Sequence, residues 1–265
     1  MRLLIVVCCC LLLASCPPDG DHQKKKVVFI FCDVTNSLNK SESEMVATMA
    51  SKVLATFPTG TEYRIYPILA QTYQLAPIND NEQVLPPRDE NPKIQDINQK
   101  KRQEEITSKL ANLYNVTNAG RYDNRTCILN AIDFASNQLK DFGPDDYDRE
   151  LIFISDMLEE CDVTPLQHRI NLRKGDISEE IKLASNFPKG ADLSHMRITI
   201  ITPTTEDTYL KYQPGLRPPM SSLQEFWYNI FKQCNIPPEA FPVSDYFYWS
   251  NGVIPNRLTK KKEEL

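Results

Sequence analysis

The chain has 265 residues, 41% hydrophobic and 25% charged, which fits one ordinary globular domain with some decoration and excludes an array of many small modules. Thirty Lys and Arg face 35 Asp and Glu, and the net charge of -5 excludes an overall positive field able to hold nucleic acid or an anionic membrane surface. Of eight cysteines, Cys8, Cys9, Cys10 and Cys16 fall in the first sixteen residues, which is not the spacing of a disulfide framework.

Those sixteen residues read MRLLIVVCCCLLLASC, with Arg2 as a short positive region and an unbroken apolar or small run from Leu3 to Ser15. The run has the length of a signal-peptide core and falls short of the about twenty residues a spanning helix needs. Leu13-Ala14-Ser15-Cys16 resembles the bacterial lipobox. That resemblance implies cleavage before Cys16, acylation of its thiol and new amino group, and a lipid-anchored place in the bacterial cell envelope. A plain secretory signal, with Cys16 incidental, is the alternative. On the first reading residues 1–15 are the signal peptide and residues 16–26 a polar tether.

Val27 to Cys32 is a continuous apolar run, the pattern of a strand buried on both faces in a parallel sheet. From Ser41 to Phe57, apolar residues at Met45, Val46, Met49, Ala50, Val53, Leu54 and Phe57 predict a sheet-facing helix, with Ser41 and Glu44 as a capping box. Glu62 to Leu69 and Thr72 to Ile78 are weaker strand candidates. Asn79 to Lys101 is polar and broken by proline, with no clear period. Helical spacing resumes at Ile106, Leu110 and Leu113, and again at Ile128, Ala131, Ile132, Ala135 and Leu139.

Leu151 to Ile154 and Ile198 to Ile201 repeat the buried-strand pattern. The stretch between them, residues 157–193, is long for a connection, though Ile177, Ile181 and Ala184 suit a short helix. Leu223, Phe226, Trp227, Ile230 and Phe231 predict a last helix. Strand and helix alternate, so the expected fold is α/β: a three-layer α/β/α, Rossmann-like open sheet, mostly parallel. The domain spans residues 27–235 with surface insertions near 79–101 and 157–193. Residues 236–265 form a C-terminal extension whose Tyr246–Trp249 cluster is expected to pack on the domain edge.

Asp33-Val34-Thr35-Asn36-Ser37 follows the first strand and puts a carboxylate and two hydroxyls in the turn at the sheet's carboxyl edge, where open α/β folds bind ligands. Ser155-Asp156 ends a later strand on that edge, and Thr126 stands at the start of a helix beside it. Oxygen donors alone suit a hard cation such as Mg²⁺. Each residue also has a local reading, with Asp33 closing its own turn and Thr126 capping its helix.

The constellation resembles the metal-ion-dependent adhesion site of von Willebrand factor A domains, whose pattern is Asp-x-Ser-x-Ser, a distant Thr, and an Asp after a later strand. Asp33, Thr35 and Ser37 match the first element, with Thr for its first Ser; Thr126 matches the second and Asp156 the third. Ala191 to Ile201 is similar to the family's approach to a later core strand, and the resemblance covers roughly residues 26–235. It implies a cation, Mg²⁺ or else Mn²⁺ or Ca²⁺, held directly by Thr35, Ser37 and Thr126 with Asp33 and Asp156 around them, and a protein partner offering an acidic residue. Met157 departs from the pattern, since many relatives have glycine there; a side chain would narrow access to the metal. Glu159 and Glu160 would add negative charge nearby.

Enzyme chemistry finds little support. Read as a phosphatase loop of the Asp-x-Asp-x-Thr type, the first turn lacks its second Asp, because Thr35 stands there. No Gly-x-x-x-x-Gly-Lys loop occurs, and His22, His168 and His195 lack metal-ligand spacing. Cys32 reads as a core thiol, and whether Cys127 and Cys161 pair stays open. The expected function is an envelope-anchored, cation-dependent binding module rather than an enzyme, bound to a membrane through Cys16 and to no nucleic acid. The alternatives are a metal-independent structural subunit of an envelope complex and, behind it, a metal-dependent hydrolase.

Overall fold

The computed structural model describes residues 24–35, 38, 40–70, 72–163, 168–169, 172, 177–185, 191–203, 218–236 and 247–249, with backbone alone at 73, 162–163, 168–169, 220 and 247–249. Residues 1–23, which hold the expected signal peptide, Cys16 and most of the expected tether, and Ser37, Tyr246 and the C-terminal tail lie outside them.

β1 (Lys25–Asp33) is the strand on which the rest is built. Val27 to Cys32 are all fully buried, as the unbroken apolar run requires. Alternate side chains of a strand point to opposite faces. Val27, Phe29 and Phe31 accordingly enter one core, and Val28, Ile30 and Cys32 a second. Sheet order is β2-β1-β3-β6-β7, built with β2 (Glu62–Ile68), β3 (Tyr147–Ile154), β6 (Met196–Thr202) and β7 (Phe247–Trp249), and every pairing within it is parallel. A separate two-residue antiparallel pair, β4 (Asp162–Val163) and β5 (His168–Arg169), sits in the connection after β3.

Helices cover both faces, which makes the fold three-layered. α1 (Lys40–Leu54) and α2 (Pro92–Asn118) bury Val46, Met49, Val53, Ile106 and Leu110 in the second core. α3 (Ile128–Gln138), α4 (Ile177–Ser185) and α5 (Met220–Gln233) supply the first, with Ile132, Ala184, Phe226 and Trp227 among its members. α1 already includes Lys40, so Ser41 lies inside the first turn and is not the residue that precedes it.

Two segments differ from expectation. Thr72 to Ile78 is no strand: Thr72–Gln74 is a 3₁₀ turn, closed by the Thr72 hydroxyl, which donates to the Pro67 and Leu69 carbonyls and accepts from the Leu69 N–H. The polar stretch after it is not without structure. Residues 78–85 run along the outer side of β2, where the Asn79 amide donates to Tyr63 O and accepts from Ile65 N, Gln83 O accepts from Tyr63 N, and Glu62 bridges Val84. An edge strand that would otherwise offer its backbone to another chain is thus covered.

At Pro92 the chain enters a helix of 27 residues, with the Asn91 side chain accepting from Lys93 N and proline in the first turn. Only Ile106, Leu110 and Thr117 of this helix are buried. Its first half therefore shows no apolar period, and its Lys, Gln, Arg and Glu favour the helix by propensity and by pairs such as Glu105–Lys109.

Candidate metal centre

Parallel pairing of β1 with β3 puts Cys32 opposite Ile154, so the next residues, Asp33 and Ser155, leave the sheet side by side. Asp33 is the hub. Its Oδ1 accepts from the Thr35 backbone N–H at 3.0 Å and from the Thr35 hydroxyl at 2.6 Å, and its Oδ2 accepts from the Ser155 hydroxyl at 2.8 Å. Thr35 Oγ1 also lies 2.7 Å from Thr126 Oγ1. A hydroxyl has one proton, and Thr35 gives its own to Asp33, so Thr126 is the donor in that contact. Asp156 follows Ser155 directly and accepts from Leu158 N at 3.2 Å.

Four of the five predicted ligands are described, and three of them, Asp33, Thr35 and Thr126, form one hydrogen-bonded cluster. Asp156 stands one residue beyond its fourth member, Ser155, and Ser37 lies outside the described residues. All of Asp33, Thr35, Thr126, Ser155 and Asp156 are fully buried. Of the two local readings one meets the geometry: Asp33 closes its own turn as an acceptor for Thr35 N, whereas the residue at the N-cap of α3 is Cys127 and not Thr126. The donor set is carboxylate and hydroxyl oxygen, which fits a hard divalent cation.

The cap of α3 comes from a distant residue. Glu159 Oε2 accepts from Ile128 N at 2.7 Å and from Leu129 N at 3.0 Å, and Oε1 accepts from Cys161 N at 3.2 Å. Glu159 thus serves the orphan amides of a helix start, where a carboxylate is favoured. Both of its oxygens accept from backbone amides, and burial disfavours the negative charge expected of it beside the cation. Cys127 and Cys161 form a disulfide, which resolves their pairing. Glu160 N donates to the Thr126 carbonyl at 2.9 Å.

Burial pushes the Glu159 carboxyl up to about 8 from its ordinary 4.5, against the lowering pull of its three backbone donors. A folded value above the unfolded one means that this group's contribution is complete below about pH 4.5 and is lost as pH rises to about 8. Thermal unfolding of the wild type should therefore lose midpoint across that window, and Glu159→Gln should flatten the slope. An equal slope in both proteins would assign it to other groups.

Met157 has a φ of 60°, in the left-handed region that favours glycine. Its side chain is buried in the core shared with α3 and α5, so it does not narrow the approach to the cluster. Two bonds hold the strained backbone: Met157 N donates to Ser155 Oγ at 2.9 Å, and Met157 O accepts from Trp227 Nε1 at 3.0 Å.

Ser155, Glu159 and Trp227 are named in the sequence without the roles they hold here: a donor to Asp33, a cap for α3 and a donor to the Met157 carbonyl. Ser155 had a signal, a hydroxyl at the end of a buried strand, but the motif drew attention to its neighbour. Elsewhere, a cavity lined by Leu54, Phe57, Leu85 and Arg102 lies near the start of β2, away from the Asp33 cluster.

No protein-family model matches the chain, and no curated protein does. Among solved structures it is similar to the manganese-loaded TRAP protein of Plasmodium vivax, at 10% identity and a TM-score of 0.39, over 89% of this chain and 71% of that one. It is also similar to a von Willebrand factor type A protein from Catenulispora acidiphila, at 12% identity and a TM-score of 0.39, over 80% of this chain and 43% of that one.

Proposed function

We propose that this chain is a divalent-cation-dependent protein-binding module, with Mg²⁺ or Mn²⁺, or else Ca²⁺, held by Asp33, Thr35, Ser37, Thr126 and Asp156. The observation that supports the reading is the Asp33–Thr35–Thr126–Ser155 cluster, in which three loops of an open parallel sheet bring side-chain oxygens to one point on its carboxyl edge. A cation bound largely by neutral hydroxyls keeps the electrophilicity to take one more carboxylate, and an acidic side chain of a partner protein would supply it. Lipid attachment at Cys16 would place the module on a membrane of the bacterial envelope. Turnover is not part of the proposal: His195 immediately precedes β6, at the sheet edge opposite Asp33.

The complete burial of Asp33, Thr35, Thr126 and Asp156 favours a second reading, in which the domain is a structural subunit of an envelope complex that meets its partner through another surface. Capture of envelope proteins on the full chain, with and without chelator, separates the two. Under the first reading capture is lost with chelator and with Asp33→Ala; capture indifferent to both supports the second. Hydrolysis of phosphate or peptide substrates in a metal-supplemented screen would displace both.

A further inference from the structure

We propose that the Cys127–Cys161 disulfide is a positioning element of the cation site, so that cation affinity depends on the oxidation state of this pair. The inference rests on the cation reading above and extends it to residues that are not ligands.

Cys127 directly follows Thr126, and Cys161 closes the loop that begins at Asp156. The disulfide joins these two ligand-bearing loops across 34 residues of sequence, with a Cα–Cα distance of 5.2 Å and both cysteines buried. Around it the same two segments are joined by hydrogen bonds. Glu160 N donates to the Thr126 carbonyl, the first two amides of α3 donate to Glu159, and Cys161 N donates to the other oxygen of that carboxylate.

Every peptide from Thr126 to Leu129 is therefore referenced to residues 159–161. The Thr126 hydroxyl, 2.7 Å from Thr35, inherits its position from that staple. Without it the Thr126 and Asp156 loops keep only single hydroxyl contacts to the β1 loop, Thr126 to Thr35 and Ser155 to Asp33, and the cation has to supply the rest of their register. Ordering ligands at the moment of binding costs affinity that a preorganised site keeps.

Opening the bond needs a reductant. A dithiol such as dithiothreitol transfers two electrons and two protons to the two protein sulfurs and leaves as a cyclic disulfide. Coupling is reciprocal: if the closed bond tightens cation binding tenfold, bound cation makes the bond harder to reduce by the same factor, about 30 mV for a two-electron couple. Reduction alone is an incomplete probe of affinity, because the freed Cys127 and Cys161 sulfurs and a Glu159 oxygen lie within 4.8 Å of one another and make a soft donor set of their own.

The test uses the full chain in two measurements. Mn²⁺ affinity, read by electron paramagnetic resonance, should be about tenfold weaker in the Cys127→Ser/Cys161→Ser double variant than in the oxidised wild type, with cooperative unfolding retained. The reduction midpoint of the wild type in dithiothreitol buffers, read by mass tagging of thiols, should become about 30 mV more negative with saturating Mg²⁺. A purely structural disulfide would leave the midpoint unmoved by Mg²⁺. Should the double variant fail to fold, the midpoint decides. Equal Mn²⁺ affinities, or a midpoint indifferent to Mg²⁺, overturn the inference and leave the cation reading standing; no Mn²⁺ binding by the oxidised wild type overturns both.

Discussion

Asp33→Asn is expected to abolish Mn²⁺ binding, by at least about a hundredfold, while costing the fold only about 1 kcal/mol. The amide keeps the shape of the hub and one oxygen to accept from Thr35, but removes the negative charge that a cation held by hydroxyls depends on. Asp33→Ala goes further. It leaves the Thr35 N–H and the Thr35 and Ser155 hydroxyls buried without this acceptor, at about 1–3 kcal/mol for each group that finds no other partner. Some of that is offset because a buried carboxylate is itself costly. The pair of variants separates charge from scaffold: Mn²⁺ titration should fail in both, and urea unfolding should be markedly weaker only in the alanine variant. Retained Mn²⁺ affinity in Asp33→Asn would remove Asp33 from any cation shell.

The second large effect lies in the core. Trp227→Ala is expected to lose about 3–5 kcal/mol of stability, the range for removing a buried aromatic. Trp227 is fully buried, with ring centroids 5.1 Å from Phe226 and 5.7 Å from Phe231, and its indole N–H donates to the Met157 carbonyl. Trp227→Phe retains most of the apolar contact and loses that bond, for about 1–2 kcal/mol. The bond matters because Met157 is held at positive φ, a conformation that costs a residue with a Cβ about 1–2 kcal/mol. Denaturant midpoints followed by circular dichroism rank the variants: alanine lowest, phenylalanine between, wild type highest. A phenylalanine variant as stable as the wild type would show that packing alone holds the turn.

How much could be read from the residues depended on whether the determining contacts were local. β1, β3 and β6 announced themselves, because strands buried on both faces need side chains of one chemistry throughout. α5 did so by its apolar spacing, and the meeting of Asp33, Thr35 and Thr126 at one sheet edge by their places at element ends. Thr72 to Ile78 misled because Thr72 and Tyr73 are strand-favouring residue types in a short stretch, whereas the Thr72 hydroxyl folds back on Leu69 and Pro67. The first half of α2 was invisible to periodicity because little of it is buried. Glu159 capping α3 was invisible for another reason: donor and acceptor stand 30 and 31 residues apart, and nothing local at Glu159 distinguishes a cap from a surface charge. Met157 was legible as an anomaly, but its consequence was inverted, since the side chain turns into the core.

The Asp33–Thr35 turn is local, but the Asp33 cluster is completed by long-range contacts, with Ser155 122 residues from Asp33 and Thr126 91 residues from Thr35. Contacts of that separation form only after the intervening loops have closed, and the entropy of closure is spent before they return anything. A partly folded chain, even one with good helices, has no such cluster. Any ion held there recognises the finished molecule and slows its return to the unfolded ensemble, so metal in the medium would act as a selective brake on unfolding.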